Sequence, residues 1–263
     1  MSEDIENTMT QRLIPANRQR DPRELPKTPV PTSISGGMTP VQIKYRHPAS
    51  INTRQIPKQD MAKVRDLEEQ CRRFCLSLFF REQNPIRSLG FISAIPGEGK
   101  SFVAAVTAQV LAGDSLYPVT LVECNWERPS MHYHFGFSAT PGLAEWIRGE
   151  CVEADIRYPV ADNLNVIPAG NGQQDAVRIL QRLKQRGILA TLARSNGLLI
   201  VDLPALTTTS YSLLGASLLD MVAIVTRIGV TPANLLEQTC AELKQVPVAG
   251  IILNQVTRKE RVL

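Results

Sequence analysis

The stretch Ser93–Ser101, SAIPGEGKS, decides the fold, because it lies between a strand-like segment and a helix-like one. Leu89–Ala94 is a short apolar run, and Ser101–Ala112 is rich in Ala and Val, as expected for a buried helix. A glycine-containing turn between a strand and a helix aims backbone N–H groups at phosphate oxygens, with the positive end of the helix behind them. The sequence therefore predicts a phosphate-binding loop (P-loop).

The residue types in this loop suit a nucleoside triphosphate. Gly97 and Gly99 allow the tight turn, Lys100 can reach the β- and γ-phosphates, and Ser101 offers a hydroxyl to Mg²⁺. Ala94 stands where the general pattern has Gly, and its small side chain can serve there. We predict ATP and Mg²⁺ as cofactors. The predicted cofactor-binding residues of the loop are Pro96, Gly97, Glu98, Gly99, Lys100, Ser101 and Phe102.

Outward from the loop, strand-like runs alternate with helical patterns. The further strand-like runs are Val119–Cys124, Leu164–Ile167, Leu198–Val201, Val222–Thr226 and Val248–Leu253. The further helical patterns are Leu143–Ile147, Asp175–Lys184, Tyr211–Leu219 and Pro232–Lys244. Continuous Val, Ile and Leu strands that alternate with helices indicate a parallel sheet covered on both faces. The predicted fold class is α/β, a doubly wound and mostly parallel sheet.

A carboxylate follows one of these strands. Leu198–Asp202, LLIVD, places Asp202 at the carboxyl end of an apolar strand, the edge where open α/β sheets bind ligands. Such an Asp is often only a turn residue, but beside a P-loop it is a candidate to hold the water shell of a metal ion.

Composition limits the classes of function. With 43% hydrophobic and 21% charged residues, the chain is typical of a soluble globular protein. A net charge of +4, without dense Lys/Arg among aromatics, does not indicate a nucleic-acid partner. No apolar run approaches the roughly 18–20 residues of a membrane span. The scattered cysteines suit reduced thiols, so we expect a cytoplasmic protein. Cys71 and Cys75 share a helix face and are better explained as buried small apolar residues than as metal ligands.

The chain divides into three predicted parts. Residues 1–60 hold eight of the 18 prolines and are predicted to be a disordered tail, either solvated or a docking arm. Residues 61–82 show an amphipathic helical pattern that packs on its own domain or forms an oligomer contact. Residues 83–263 form the predicted P-loop domain.

Several stretches resemble the bacterial tyrosine kinases of capsule and exopolysaccharide synthesis, which share their P-loop class with the MinD and ParA ATPases. The stretches are PGEGKSFVAA (96–105), VTLVECNWERPSMHYHFG (119–136), PGLAEWIRGE (141–150), LNVIPAGN (164–171), IVDLP (200–204) and IILNQV (251–256). Ile95 stands where MinD- and ParA-type proteins place a signature lysine, which favours the kinase branch.

The resemblance implies roles for particular residues. Glu123 and Asn125 stand for the two aspartates of the family's second Walker motif, and Glu127 stands where a basic residue is usual. Asn254 stands where the class uses an Asn to read the adenine edge. The implied catalytic residues are Lys100, Glu123, Asn125 and Asp202, and the implied metal residues are Ser101, Glu123 and Asp202.

Three functions stay open from the sequence. The first is a tyrosine autokinase that regulates polysaccharide chain length or export, although Asn125 cannot accept a proton as a base. The second is a non-catalytic or ATPase-only nucleotide switch, and the third is a MinD/ParA-like positioning ATPase. For the first two, the resemblance implies a membrane-anchored chain-length (co-polymerase) partner that recruits the chain to the inner face of the membrane. It also implies a homo-oligomer. Among the tyrosines, Tyr45 is the candidate acceptor.

Overall fold

Seven strands form one sheet in the computed structural model, which describes residues 58–194 and 197–254. The strands are β1 (Ser88–Ser93), β2 (Val119–Glu123), β3 (Tyr158–Ala161), β4 (Leu164–Ile167), β5 (Leu198–Asp202), β6 (Met221–Arg227) and β7 (Val248–Asn254). Their order across the sheet is β3-β4-β2-β5-β1-β6-β7. Only β3 runs antiparallel to its described neighbour, and every other described pair is parallel.

Helices connect most of the strands. They are α1 (Lys58–Phe79), α2 (Lys100–Asp114), α3 (Met131–Phe135), α4 (Leu143–Arg148), α5 (Glu153–Ile156), α6 (Ala176–Arg186), α7 (Ile188–Arg194), α8 (Ser212–Ala216) and α9 (Ala233–Glu242). The described residues all fall within one compact unit, residues 46–263. No helix in the described ranges is long and apolar enough to cross a bilayer.

Both faces of the sheet are covered, because each strand alternates its side chains between two apolar layers. Phe91 of β1 packs into the layer formed with α1, α2 and α3. The next residue, Ile92, packs into the opposite layer with α4, α6, α7 and α8. The central strands β1, β2 and β5 are buried along their whole length. Their carboxyl ends therefore meet at one edge, where a ligand site is expected.

Helix α2 lies between the sheet and α1, which explains its composition. Small residues such as Ala104 and Ala108 are fully buried and allow close packing on both sides. Cys71 and Cys75 of α1 are buried, and the Thr107 hydroxyl of α2 approaches the Cys71 sulfur at 3.6 Å. Arg72 adds a surface ion pair with Asp114. Helix α1 is thus packed on the domain that follows it.

The predicted fold class is confirmed, with differences in detail. Strand β3 was not predicted, and α3, α5 and α7 were not predicted either. The helix predicted from Met61 is present and begins at Lys58. Most of the predicted tail, residues 1–57, lies outside the described residues, and the division into three parts stays a prediction.

Candidate nucleotide-binding site

The loop between β1 and α2 has the backbone conformation that its glycines predict. Gly97 and Gly99 have φ values of 87° and 84°, a left-handed conformation that strains residues with a Cβ. Gly99 is the N-cap of α2 and provides no side-chain cap. The N–H groups of the first turn therefore keep their capacity to bind an anion, as at other helix N-termini.

Lys100 and Asp202 form a buried ion pair beneath this loop. Lys100 Nζ lies 2.6 Å from Asp202 Oδ1 and 3.3 Å from the Ser101 hydroxyl. The two side chains are 7% and 0% exposed. The second oxygen of Asp202, Oδ2, is buried without a hydrogen-bond partner among the described residues. The Ser101 hydroxyl and the Asp202 carboxylate thus both contact Lys100 Nζ, and hard oxygen donors of this kind suit Mg²⁺.

Glu123 is placed differently from Asp202. Its Oε1 accepts the backbone N–H groups of Ser130 at 2.5 Å and Met131 at 3.1 Å, and its Oε2 accepts that of Ala169 at 3.2 Å. The carboxylate therefore caps the start of α3 and holds the loop after β4. Burial, and secondarily the charge of Asp202, raise the pKa of Glu123 to about 7.

Asn125 follows β2 and reaches the loop region. It is 8% exposed, and its Nδ2 donates to the carbonyl oxygen of Arg128 at 3.2 Å. The next residue, Trp126, is buried, and its Nε1 donates to the carbonyl of Ala169 at 2.8 Å. Burial and this hydrogen bond make Trp126 a packing residue.

Glu98 turns inward and ties the P-loop to other elements. It is 1% exposed, and its Oε2 accepts the Ile95 N–H at 2.9 Å. Its Oε1 accepts the Arg227 N–H at 3.3 Å and the Thr231 hydroxyl. Asn254 Nδ2 in turn donates to the Glu98 carbonyl at 2.8 Å. The end of β6, the loop after it and the end of β7 therefore all hold the P-loop through one residue.

A cavity of about 320 Å³ opens above the P-loop. Of the predicted site residues, its wall includes Pro96, Gly97, Glu98, Gly99, Lys100, Ser101, Phe102 and Asn125. The remaining wall residues are Ser93, Glu127, Arg128, Ser130, His134, Ala205 and Thr208. Within the described ranges, Glu123, Asp202 and Asn254 lie behind or beside this wall and do not form it.

One part of the cavity wall, formed by Glu127, Arg128, His134 and Thr208 and called the far wall below, was not predicted from the sequence. His134 packs against Phe102 with ring centroids 6.2 Å apart, and burial lowers the pKa of the His134 imidazole. Arg128 is exposed at the same wall. The sequence signal for this wall was the unusual Glu127-Arg128 pair after the second Walker-like motif. No cluster of three or more His, Cys, Asp or Glu that could hold a metal occurs in the described part of the chain.

The sheet order, the loop geometry and the Lys100–Asp202 pair define the P-loop NTPase class of α/β proteins. Within this class, the chain resembles the bacterial tyrosine kinases of capsule and exopolysaccharide synthesis. Residues of this chain are 26% identical over 162 positions to EpsB of Ralstonia solanacearum, a candidate tyrosine-protein kinase, covering 60% of this chain and 22% of EpsB. They are 28% identical over 186 positions to the succinoglycan biosynthesis transport protein ExoP of Rhizobium meliloti, covering 66% of this chain and 23% of ExoP. No family model matches the chain.

Solved structures show the same fold. The kinase domain of the Escherichia coli tyrosine kinase ETK superposes with a TM-score of 0.67 at 23% identity, covering 78% of this chain and 82% of that domain. A ParA-family ATPase from Chlorobium tepidum gives a TM-score of 0.51 at 20% identity, covering 67% of this chain and 77% of that protein. The chain spans about a fifth of the length of EpsB and ExoP.

Proposed function

We propose that this chain binds ATP with Mg²⁺ and acts as a tyrosine-kinase-like domain in the control of polysaccharide chain length or export. The observation that carries the proposal is the convergence of Lys100, Ser101 and Asp202 beneath a loop with two left-handed glycines. The resemblance to EpsB and ExoP supports the biological setting.

The described residues are suited to hold the magnesium ion. Ser101 and Asp202 supply hydroxyl and carboxylate oxygens, and the unpartnered Asp202 Oδ2 is an oxygen that a hydrated cation would satisfy. A bound Mg²⁺ neutralises charge on the nucleotide phosphates. The ion pair with Asp202 holds the Lys100 side chain in place. When a nucleotide binds, its phosphates compete with Asp202 for the Lys100 ammonium group. The loop N–H groups orient the phosphates, and the buried position of the pair excludes water from it.

A second candidate function, the non-catalytic or ATPase-only switch, is supported by two contacts. Asn125 offers an amide where a carboxylate is needed to take a proton, and this amide is already bonded to the Arg128 carbonyl. Glu123 uses both oxygens on backbone N–H groups. In this alternative, the same nucleotide site controls docking to a membrane-anchored co-polymerase or to other copies of the chain. The name of ExoP, a transport protein, supports a partner of this kind.

The test is binding of a fluorescent ATP analogue, followed by phosphotyrosine detection after incubation with ATP and Mg²⁺. Lys100→Ala removes a charged contact to the phosphates and is expected to weaken binding by about tenfold or more. Lys184→Ala, at an exposed position of α6, is the matched control and leaves binding unchanged. Phosphotyrosine that disappears in Lys100→Ala supports the kinase. Nucleotide binding without phosphotyrosine supports the switch, and absence of nucleotide binding removes both.

A further inference from the structure

One serine in the wall of the P-loop cavity has a hydroxyl without a hydrogen-bonding role in the described fold. Ser130 lines this cavity, and its Oγ is buried without a hydrogen-bond partner among the described residues. A serine at the N-cap of a helix usually bonds an N–H group of the first turn through its side chain. Ser130 is the N-cap of α3 but makes no such bond. A buried hydroxyl that is left unpaired costs free energy, which an acceptor bound in the cavity would recover.

The hydroxyl is unused because a neighbouring carboxylate caps the helix instead. Glu123 Oε1 accepts the N–H groups of Ser130 and Met131 at 2.5 and 3.1 Å. On the other side of Ser130, Asn125 Nδ2 donates to the carbonyl oxygen of Arg128 at 3.2 Å. Two buried side chains therefore fix the backbone around Ser130. The Ser130 hydroxyl makes no bond within the described ranges that would fix its χ1 angle, so it can turn toward a ligand in the cavity at little cost.

The order of the strands indicates which part of a nucleotide Ser130 adjoins. The P-loop follows β1, Asp202 ends the neighbouring strand β5, and the segment 124–130 follows β2, the next strand along. Asp202 pairs with Lys100, and the lysine of a P-loop reaches the β- and γ-phosphates. Asn254, predicted to read the adenine edge, ends β7 on the opposite side of β1. The segment that carries Ser130 therefore lies at the terminal-phosphate end of the site.

The charged residues beside Ser130 are compatible with a phosphate. Arg128 is exposed in the same wall and adds a cation to it. Glu127 is directed toward Gln173, whose Nε2 donates to Glu127 Oε2 at 3.1 Å. Gln173 lines a second, neighbouring cavity of about 660 Å³ and is not part of the described wall of the P-loop cavity. A hydroxyl donor beside a cation is a suitable partner for a phosphate oxygen.

We propose that the Ser130 hydroxyl donates a hydrogen bond to the terminal phosphate of a bound nucleoside triphosphate, so that the chain binds the triphosphate more tightly than the diphosphate. A diphosphate lacks the acceptor oxygen and leaves the hydroxyl unpaired. Ser130 is therefore a specificity-determining residue, which Glu123 and Asn125 position through the backbone. This inference rests on the proposed function, because it takes the terminal phosphate of bound ATP to lie at Lys100 and Asp202.

The experiment is isothermal titration calorimetry of the full chain with a non-hydrolysable ATP analogue and, separately, with ADP, each in the presence of Mg²⁺. Ser130→Ala is expected to weaken binding of the ATP analogue by about tenfold, as for the loss of a hydrogen bond to a charged group, and to leave ADP binding unchanged. Ser130→Thr keeps a hydroxyl and should retain the preference for the triphosphate. Ser77→Ala, at an exposed position of α1 outside the walls of both cavities, is the matched control and should change neither affinity.

The two nucleotides separate a phosphate contact from a structural role. Equal weakening of ATP-analogue and ADP binding in Ser130→Ala would mean that Ser130 only shapes the wall, and it overturns the inference. Wild-type protein that binds both nucleotides equally well also overturns it and leaves the proposed function standing. Protein that binds neither nucleotide removes both. If urea unfolding shows that Ser130→Ala is not folded, Ser130→Cys takes its place, because a thiol of similar size is a weak donor and should also reduce the preference.

Discussion

Glu123 and Asp202 are register partners at the carboxyl ends of the parallel strands β2 and β5. Two buried carboxylates on neighbouring strands repel each other, and each has a different means of compensation. Asp202 pairs with Lys100 at 2.6 Å, whereas Glu123 accepts hydrogen bonds from three backbone N–H groups. We therefore propose that Asp202 meets the cation at this site, whereas Glu123 mainly holds the start of α3 and the loop after β4.

Glu123 should make stability depend on pH. Burial and Asp202 raise its pKa from the ordinary 4.5 to about 7, so the native state binds this proton more tightly than the unfolded state. Between these two values, the free energy of unfolding therefore falls as the pH rises. Below 4.5 both states are protonated, and above about 7 both are ionised and the unfavourable contribution is fully present. Urea unfolding of wild type and Glu123→Gln across this range measures the effect.

The variant isolates the contribution of this single group. Glu123→Gln stays neutral at every pH, so its stability relative to wild type should improve as the pH rises from 4.5 to 7. Glu237→Gln, at an exposed position of α9, should show no such trend. A constant difference between Glu123→Gln and wild type across the range would contradict the raised pKa.

Glu98 should control both stability and nucleotide affinity. Glu98→Ala leaves the Ile95 N–H and the Thr231 hydroxyl without their acceptor, and the Arg227 N–H keeps only its bond to Thr231 Oγ1. We expect a loss of about 1–3 kcal/mol in the free energy of unfolding, together with weaker nucleotide binding because the P-loop loses its anchor. Urea unfolding and titration with the ATP analogue check this. Glu82→Ala, at an exposed position after α1, is the control, and equal behaviour of the two variants would count against the anchor.

The sheet was largely predictable because its strands are continuous apolar runs. Leu164–Ile167 was predicted with the bounds of β4, and the other predicted strands differ from the observed ones by a residue or so at their ends. Strand β3 escaped prediction because it is a four-residue edge strand in which only Val160 is buried. Its pairing depends on β4 lying beside it, which local sequence does not encode.

The candidate site was predictable where its residues are consecutive. The P-loop is a local structure, so Gly97, Gly99 and Lys100 could be placed from the motif alone. The far wall comes from separate loops, and Glu127, His134 and Thr208 meet there only after the sheet and helices pack. The capping bonds of Glu123 likewise depend on where α3 and the loop after β4 lie.

Thiol reactivity should report the packing of α1. Cys75 is 2% exposed, and burial raises its pKa to about 12, so it should resist alkylation in the native state. Cys124 is buried with a raised pKa for the same main reason. Cys240 is exposed and should react first. Maleimide labelling followed by peptide mass spectrometry measures the order, and Cys240→Ser should remove the fast phase. Labelling of Cys75 as fast as Cys240 would mean that α1 is not packed on α2 in solution.

Asn125→Asp should separate the two proposed functions. Asn125 lines the P-loop cavity, and its Nδ2 donates to the Arg128 carbonyl. The substitution exchanges this donor for a carboxylate, so a stability loss of about 1 kcal/mol is expected from the broken bond. In return, the cavity gains a carboxylate that can bind Mg²⁺ and accept a proton. We therefore expect nucleotide binding that depends more strongly on Mg²⁺. If the wild-type chain is a switch that transfers no phosphoryl group because Asn125 replaces a carboxylate, we also expect the variant to form phosphotyrosine.

The control for this substitution is Asn171→Asp, which adds the same charge at an exposed position outside the walls of both cavities. Phosphotyrosine measured by immunoblot should rise in Asn125→Asp and stay unchanged in Asn171→Asp. If wild type already forms phosphotyrosine and Asn125→Asp does not increase it, the amide is not what limits transfer. The proton of the acceptor hydroxyl must then leave by another route. The described wall of the P-loop cavity holds two carboxylates, Glu98 and Glu127, and Glu98 turns inward. Glu127 is therefore the residue to replace next.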